Sequence, residues 1–243
     1  MNKPYILHML TSEKNLSPFD VNMAYDAGWD AIASYTDIQA TDIQSLVQDA
    51  IFSRGPSGVK RTGIFLGGRD MHESLEMLTL CKDAMVPPFE VSVFADPSGA
   101  FTTAAGMVAK AEQALKNTDH PTLQEKTIIV LGGTGPVGST AAMIAAKAGA
   151  NVTIMGRQKE KCQATAELCN GLIGDSGKNI SAEGNDKLDS LIGNVDIVFA
   201  AAAAGIQLLT EPQIKKAVNL KIAADVNAVP PSGIFGLDVM SDM

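Results

Sequence analysis

The segment at residues 130–140, VLGGTGPVGST, constrains the fold of this 243-residue chain more than any other. The apolar run TIIVL precedes its glycines, and the helix-like stretch STAAMIAAKAGA follows them. A GxGxxG turn between a strand and a helix is the context in which a dinucleotide binds, because the helix N-terminus attracts the pyrophosphate. The first glycine permits a tight turn, the second admits the pyrophosphate, and the third lets helix and strand pack closely. The segment therefore predicts six cofactor-binding residues, with a purely structural turn as the alternative. They are Gly133, Thr134, Gly135, Pro136, Val137 and Gly138.

Short apolar runs alternate with helix-like segments along the whole chain, a pattern typical of parallel sheets with helical crossovers. Strands are predicted near residues 6–10, 31–35, 63–66 and 91–95, and in KTIIVLGG, NVTIMG, DIVFAA and LKIAADVN. The polar stretch KNTDHPTLQEK separates these two groups of four. The sequence predicts an α/β protein with two parallel-sheet domains. Residues 1–118 form the first, and residues 119–243 form a Rossmann-type dinucleotide-binding domain.

The end of the second strand in the C-terminal half indicates which dinucleotide binds. NAD-preferring sites have a carboxylate there, about 20 residues after the glycines, which bonds the ribose hydroxyls. Here the strand ends in IMGRQKEK, so that Gly156 occupies the carboxylate's position. Arginine binds phosphate oxygens with a planar fork of donors, and a carboxylate would repel a 2′-phosphate. Arg157, Lys159 and Lys161 surround a single anion, Glu160, and this pattern predicts NADP, with NAD left open, although Lys159 also fits a solvated helix start.

Ligands of such sheets lie at the carboxyl ends of the strands, so residues that follow other strands are further candidates. In AAAAGIQ and DVNAVPPSG we expect cofactor contacts from Ala202, Gly205, Ile206 and Asn227, the last through its amide. In FADPSGAFTT, Asp96, Thr102 and Thr103 are candidates to face a ligand-binding cleft at these strand ends, with ordinary turn chemistry as the alternative.

Composition and the remaining reactive residues exclude several classes of function. A net charge of −8 argues against a nucleic-acid partner. No apolar run reaches the roughly 20 residues of a membrane span, and the N-terminus lacks a signal-peptide pattern, so we expect a cytoplasmic protein without a membrane partner. The three cysteines lack metal-site or redox spacing and are expected to be buried or idle thiols. His8, His72 and His120 lie in no nucleophile or metal-binding pattern, so no catalytic residue and no metal ligand are assigned.

Several segments together resemble the NAD(P)-dependent methylene-tetrahydromethanopterin dehydrogenases of methylotrophic bacteria, over essentially the whole chain. The most specific are ILHMLTSEKNLSPFDVNMAYDAG, VPPFEVSVFADPSGAFTTAAGMVA and DVNAVPPSGIFGLD. The resemblance implies oxidation of methylene-tetrahydromethanopterin to the methenyl form, with hydride passed to NADP or NAD in formaldehyde oxidation. The donor carbon lies between two nitrogens, so loss of hydride gives a delocalised amidinium cation and no general base is needed.

Carried over residue by residue, the resemblance implies that Arg157 and Lys161 bind the 2′-phosphate. The pterin would contact Phe19, Asp20, Asp96, Thr102 and Thr103. In SPFD the residue types also predict Ser17 as a helix N-cap, with Asp20 as a capping carboxylate. The resemblance and the apolar stretch MVPPF, residues 85–89, further imply a homo-oligomer.

One departure from the family and three alternatives stay open at this point. Family members are expected to continue past GIFGLD with a lysine near the active site and a closing helix, whereas this sequence ends at Met243. The alternatives are a dehydrogenase for another pterin, such as methylene-tetrahydrofolate, or for a small hydroxy acid. A module that senses NADP without turnover is the third.

Overall fold

A computed structural model of the chain describes residues 3–119, 121–227 and 229–238. It separates into two compact units that divide between Gly99 and Ala100. Each unit contains one parallel sheet, which confirms the predicted fold class. Within the described ranges, no helix is both long and apolar enough to cross a membrane.

The first unit contains a four-stranded sheet in the order β2-β1-β3-β4, and all its strand pairs are parallel. Each predicted strand of this unit is confirmed to within one residue at either end. The strands are β1 Ile6–Leu10, β2 Ala31–Tyr35, β3 Thr62–Leu66 and β4 Ser92–Ala95. The helices are α1 Pro18–Asp26, α2 Ile43–Phe52, α3 Gly55–Val59 and α4 Met71–Asp83, with 3₁₀ turns at Ala40–Asp42 and Pro97–Gly99.

The second unit contains a five-stranded parallel sheet in the order β7-β6-β5-β8-β9. Its strands are β5 Thr127–Leu131, β6 Asn151–Gly156, β7 Ser181–Gly184, β8 Ile197–Ala200 and β9 Ile222–Asp225. Its helices are α5 Ala100–Leu115, α6 Pro136–Lys147, α7 Lys159–Ile173, α8 Leu188–Leu191 and α9 Glu211–Lys216, with 3₁₀ turns at Gly174–Ser176, Asn185–Lys187 and Ile192–Asn194. The edge strand β7 was not among the predicted strands.

The division between the units falls before α5, whereas the sequence predicts the boundary near residue 118. The reason is the apolar face of α5. Ala104, Val108 and Leu115 are fully or almost fully buried in the same core as Ile128 of β5 and Ala142 of α6. Burial of this face groups the helix with the dinucleotide-binding unit, although the polar stretch used for the prediction follows the helix.

Candidate cofactor and substrate site

The glycine-rich turn after β5 is tighter than the sequence motif requires. Gly132 has φ +72°, and a β-carbon built on it would lie 2.7 Å from the backbone nitrogen of Ala202. The left-handed conformation and the close approach of the loop after β8 both require glycine there. The motif assigns the tight turn to Gly133, but this residue must be glycine for another reason. A β-carbon built on it would lie 2.6 Å from Cγ2 of Ile154. Sequence analysis therefore missed Gly132, although the double glycine was its signal.

The remaining two glycines of the motif differ in the space around them. A β-carbon on Gly138 would lie 2.7 Å from Cα of Gly133, so this residue allows the turn and α6 to pack closely. At Gly135, the N-cap of α6, the nearest atom would be the carbonyl oxygen of Gly132 at 3.6 Å. Pro136 begins the helix, and the N–H groups of Val137 and Gly138 belong to its first turn, which has no intrahelical acceptors. This end of α6 has both the space and the donors for a pyrophosphate.

A cavity of about 270 Å³ lies beside the turn. It is lined by Thr134, Arg157, Gln158 and Lys161. Among the described residues, no carboxylate forms an ion pair with either Arg157 or Lys161. Two cations without an acidic partner, next to the N-terminus of α7, suit an additional phosphate group. The cavity therefore has the chemistry expected for a 2′-phosphate.

Lys159 differs from its two cationic neighbours. Its Nζ lies 2.8 Å from Oε2 of Glu183 on β7, and this contact raises the pKa of the Lys159 ammonium. The same contact lowers the pKa of the Glu183 carboxyl. The interpretation of Lys159 as part of a solvated helix start agrees with its half-exposed side chain.

The loops after β8 and β9 are connected through Asn227. This side chain is buried, and its Oδ1 accepts hydrogen bonds from the N–H groups of Gly205 at 3.2 Å and Val229 at 3.1 Å. Its Nδ2 donates to the carbonyl oxygen of Pro231 at 3.2 Å. Both polar atoms of the amide thus bond to protein, whereas the sequence interpretation offered this amide to a ligand. Asn227 holds the two loops together because its backbone lies at the sheet edge where they converge.

The other cofactor candidates of this unit differ in exposure, since Ala202 and Gly205 are half-buried and Ile206 is exposed. Ile206 is 48% exposed, and Gly205 has φ +78°. Thr102 and Thr103 are exposed in the first turn of α5. Thr103 also lines an open groove of about 710 Å³ between α5 and β9, which has Asp225 and Asn227 on its other side.

In the first unit, Asp20 and Asp96 interact electrostatically. Burial raises the pKa of the Asp20 carboxyl, and the negative charge of Asp96 raises it further. Asp96 is 7% exposed and directly follows β4, where its N–H donates to the carbonyl oxygen of Leu66. A β-carbon on Gly67, which follows β3, would lie 3.5 Å from Oδ2 of Asp20. Two of the predicted pterin residues are therefore together at the carboxyl edge of this sheet.

The predicted capping role of the SPFD segment is only partly correct. Ser17 is the N-cap of α1 and Pro18 begins it, but the Ser17 side chain makes no capping hydrogen bond. The expected reciprocal pair of side-chain bonds is therefore absent, and Asp20 lies near Gly67 and Asp96 instead. Phe19, the adjacent candidate, is 66% exposed.

The histidines and cysteines have structural surroundings where they are described. Nδ1 of His8 lies 3.1 Å from the Tyr35 hydroxyl, and burial together with the charge of Arg54 lowers the pKa of this imidazole. His72 follows Asp70, the N-cap of α4, and His120 lies outside the described residues. The cysteines Cys81, Cys162 and Cys169 are free and buried, as expected.

Fold and site together define a class, the two-unit α/β proteins with a Rossmann-type dinucleotide-binding fold. Residues 18–98 match the family described as "Methylene-tetrahydromethanopterin dehydrogenase, N-terminal", and residues 112–231 match "Shikimate / quinate 5-dehydrogenase". The chain is 43% identical to the NAD(P)-dependent methylenetetrahydromethanopterin dehydrogenase of Methylorubrum extorquens, over 96% of this chain and 79% of that protein. This chain belongs to the family of the NAD(P)-dependent methylenetetrahydromethanopterin dehydrogenases.

A second relative is similar over the same share of this chain, and one solved structure has a similar fold. The bifunctional protein MdtA of Methylorubrum extorquens is 32% identical over 96% of this chain and 80% of its own length. Quinate dehydrogenase from Corynebacterium glutamicum, solved with NAD, has a TM-score of 0.54 at 13% identity, covering 95% of this chain and 88% of its own. At that identity the structural similarity concerns the fold alone.

Proposed function

We propose that this chain oxidises methylene-tetrahydromethanopterin to methenyl-tetrahydromethanopterin and transfers the hydride to NADP. One observation carries the proposal. The 43% identity to the dehydrogenase of Methylorubrum extorquens extends over 96% of this chain and therefore includes both units. The match of residues 18–98 to the N-terminal region of the same family adds support on the substrate side.

The proposed hydride transfer needs no acidic or basic side chain. The carbon that loses hydride lies between two nitrogens, whose lone pairs stabilise the resulting cation. NADP, when bound, supplies the hydride acceptor. The residues of this chain then contribute by binding and orienting the two reactants and by electrostatics. We accordingly assign no catalytic acid or base.

On the cofactor side, the first turn of α6 and the glycines before it would bind the pyrophosphate. Arg157 and Lys161 would bind the 2′-phosphate, and Thr134 would line the same pocket. Ala202, Gly205 and Ile206 would lie along the dinucleotide on the loop after β8. Asn227 would support that loop through its bond to Gly205 and need not touch the cofactor.

On the substrate side, Asp20 and Asp96 would orient the pterin together with Phe19, Thr102 and Thr103. The electrostatic interaction of the two carboxylates supports a shared role, because a ligand that donates hydrogen bonds to both would relieve their repulsion. The exposed ring of Phe19 has an accessible face for stacking.

Four assays with the purified chain test the proposal against its alternatives. Each of the two methylene pterins, tetrahydromethanopterin and tetrahydrofolate, is paired with NADP and with NAD, and reduced nicotinamide is measured. We expect the highest kcat/KM with methylene-tetrahydromethanopterin and NADP. A higher value with the folate would favour the other pterin. No activity with either pterin, together with activity in a further assay on a small hydroxy acid, would contradict the proposal.

Homo-oligomerisation and a cytoplasmic location stay predictions. At the MVPPF stretch, Val86 and Phe89 form a β-bridge, and the Phe89 ring lies 6.1 Å from that of Phe52, which is 56% exposed. This pair, an exposed Phe52 ring beside a half-buried Phe89 ring, is a candidate subunit contact. A monomer in light scattering at micromolar concentration would contradict the oligomer.

A further inference from the structure

A carboxylate, Glu183, lies on β7, the strand next to β6. NAD-preferring sites have their carboxylate at the end of the strand that corresponds to β6, where this chain has Gly156. The strands β6 and β7 are paired so that Met155 aligns with Glu183 and Gly156 with Gly184. Adjacent strands lie about 4.8 Å apart. Glu183 therefore stands beside the strand end that leads into Arg157.

Lys159 forms an ion pair with Glu183. Its Nζ lies 2.8 Å from Oε2 of Glu183. Its Cβ lies 3.6 Å from the position of an added β-carbon on Gly184, so the lysine stem crosses the end of β7. Besides Glu183, the carboxylates of Asp186 and Glu160 also act on Lys159 and raise the pKa of its ammonium group. Lys159 thus lies among three carboxylates beside the strand end. A second cation, Lys187, forms a longer ion pair with Asp186 at 4.0 Å and also lowers the pKa of the Glu183 carboxyl.

We infer that Lys159 is a positioning residue for cofactor specificity, which neutralises and holds Glu183 so that the pocket of Arg157 and Lys161 accepts a 2′-phosphate. The inference rests on the proposed NADP function of that pocket. Lys159 does not line the cavity, so its effect on the phosphate would act through Glu183. Without the ammonium group, the free carboxylate repels the phosphate, and it is also available to accept hydrogen bonds from the ribose hydroxyls of NAD.

The test uses two probes that differ only in the 2′-phosphate, 2′,5′-ADP (adenosine 2′,5′-bisphosphate) and 5′-AMP. Their dissociation constants are measured by calorimetry for the whole chain and for Lys159→Met, Glu183→Gln and the double variant. Lys215→Met is the matched control, because Lys215 forms a comparable exposed ion pair with Glu211 on α9, away from the pocket. Lys159→Arg is the conservative variant.

We expect Lys159→Met to weaken binding of 2′,5′-ADP by about three- to ten-fold, the scale of one uncompensated charge near a phosphate in screened surroundings. Binding of 5′-AMP should stay within about two-fold, and Glu183→Gln in the same chain should restore most of the loss. Lys159→Arg and Lys215→Met should resemble the unmodified chain. In steady state, KM for NADP should rise in Lys159→Met while kcat with NADP stays nearly constant.

Two outcomes would overturn the inference. If Glu183→Gln does not restore the affinity that Lys159→Met loses, Lys159 binds the phosphate itself. If Lys159→Met resembles Lys215→Met, the ion pair has no role in specificity. Failure of the underlying assignment is distinguishable, because Arg157→Ala would then also leave the ratio of the two dissociation constants unchanged.

Discussion

A β-carbon built on Gly156 would lie 2.9 Å from the buried sulfur of Cys162. The end of β6 therefore has no space for the carboxylate with which NAD-preferring sites bond the ribose. The first turn of α7 closes this position, since Cys162 belongs to that helix. The absence of a carboxylate at Gly156 is thus built into the packing of α7 on β6.

This contact makes Gly156→Asp a destabilising change. Overpacking of this kind lowers the free energy of unfolding by about 1–3 kcal/mol, and urea denaturation measures this decrease. Because the sulfur is the obstructing atom, the same substitution should cost much less in a Cys162→Ala background. Equal losses in both backgrounds would show that Cys162 is not the obstacle.

Arg157→Ala tests the assignment of the phosphate pocket. A lost charge-assisted contact to phosphate is worth about 1.5–3 kcal/mol, which corresponds to a rise of about ten-fold or more in KM for NADP. Steady-state kinetics with NAD should be nearly unchanged, because NAD lacks the 2′-phosphate. Equal weakening with both cofactors would remove Arg157 from the 2′-phosphate site. Lys215→Met is again the control for charge.

Asp20→Asn should change stability in a pH-dependent way. Burial and Asp96 raise the pKa of Asp20 in the folded chain, so folding favours the protonated form. The protonated Asp20 carboxyl contributes its full stabilisation of the fold below the pKa that it has in the unfolded chain, about 4. This contribution is lost as the pH rises through the pKa that it has in the folded chain. Asparagine mimics the protonated carboxyl. The variant should therefore have a higher Tm than the unmodified chain at pH 7 and an equal Tm below about pH 4.

The opposite result, a Tm difference independent of pH, would mean that Asp20 is not held in an environment unfavourable to its charge. Asp26→Asn is a suitable control, because this exposed residue ends the same helix.

Asp96→Asn should separate orientation from proton transfer. If Asp96 orients the pterin, the substitution lowers kcat by about ten-fold or more, the scale expected for misplacement of a reactant. The pH dependence of the hydride-transfer step should not move, because no side chain removes a proton in that step. Loss of one limb of the pH–rate profile in the variant would identify Asp96 as a general base.

The sequence was sufficient for those features that depend on local patterns. Apolar runs such as TIIVL are buried on both faces of a parallel sheet, so they identify eight of the nine strands in the described part of the chain. Strand β7, with the sequence SAEG, has only one apolar side chain, Ala182, and lies at the sheet edge, where pairing rather than composition makes a strand. The division into compact units falls before α5, whereas the predicted boundary follows it, because a polar stretch does not reveal which core the preceding helix joins.

The candidate site was less predictable because it depends on contacts between distant segments. Gly132 must be glycine because the backbone of Ala202, far along the chain, approaches it closely. The Asn227 amide is occupied because it bonds to Gly205 and Pro231. Likewise, Asp20 follows a good capping pattern, but its position relative to Gly67 and Asp96 depends on how α1 packs on the sheet. Such relationships are tertiary and leave no spacing signal.

The most direct test of the account is a single turnover. The chain is mixed with NADP in an amount below that of the active sites, methylene-tetrahydromethanopterin is added, and nicotinamide reduction is followed in a stopped-flow instrument. The account predicts full reduction of the bound NADP, at a rate independent of pH in the neutral range because the hydride transfer needs no general base. Binding of NADP without any reduction would contradict it and identify the chain as a module that senses NADP.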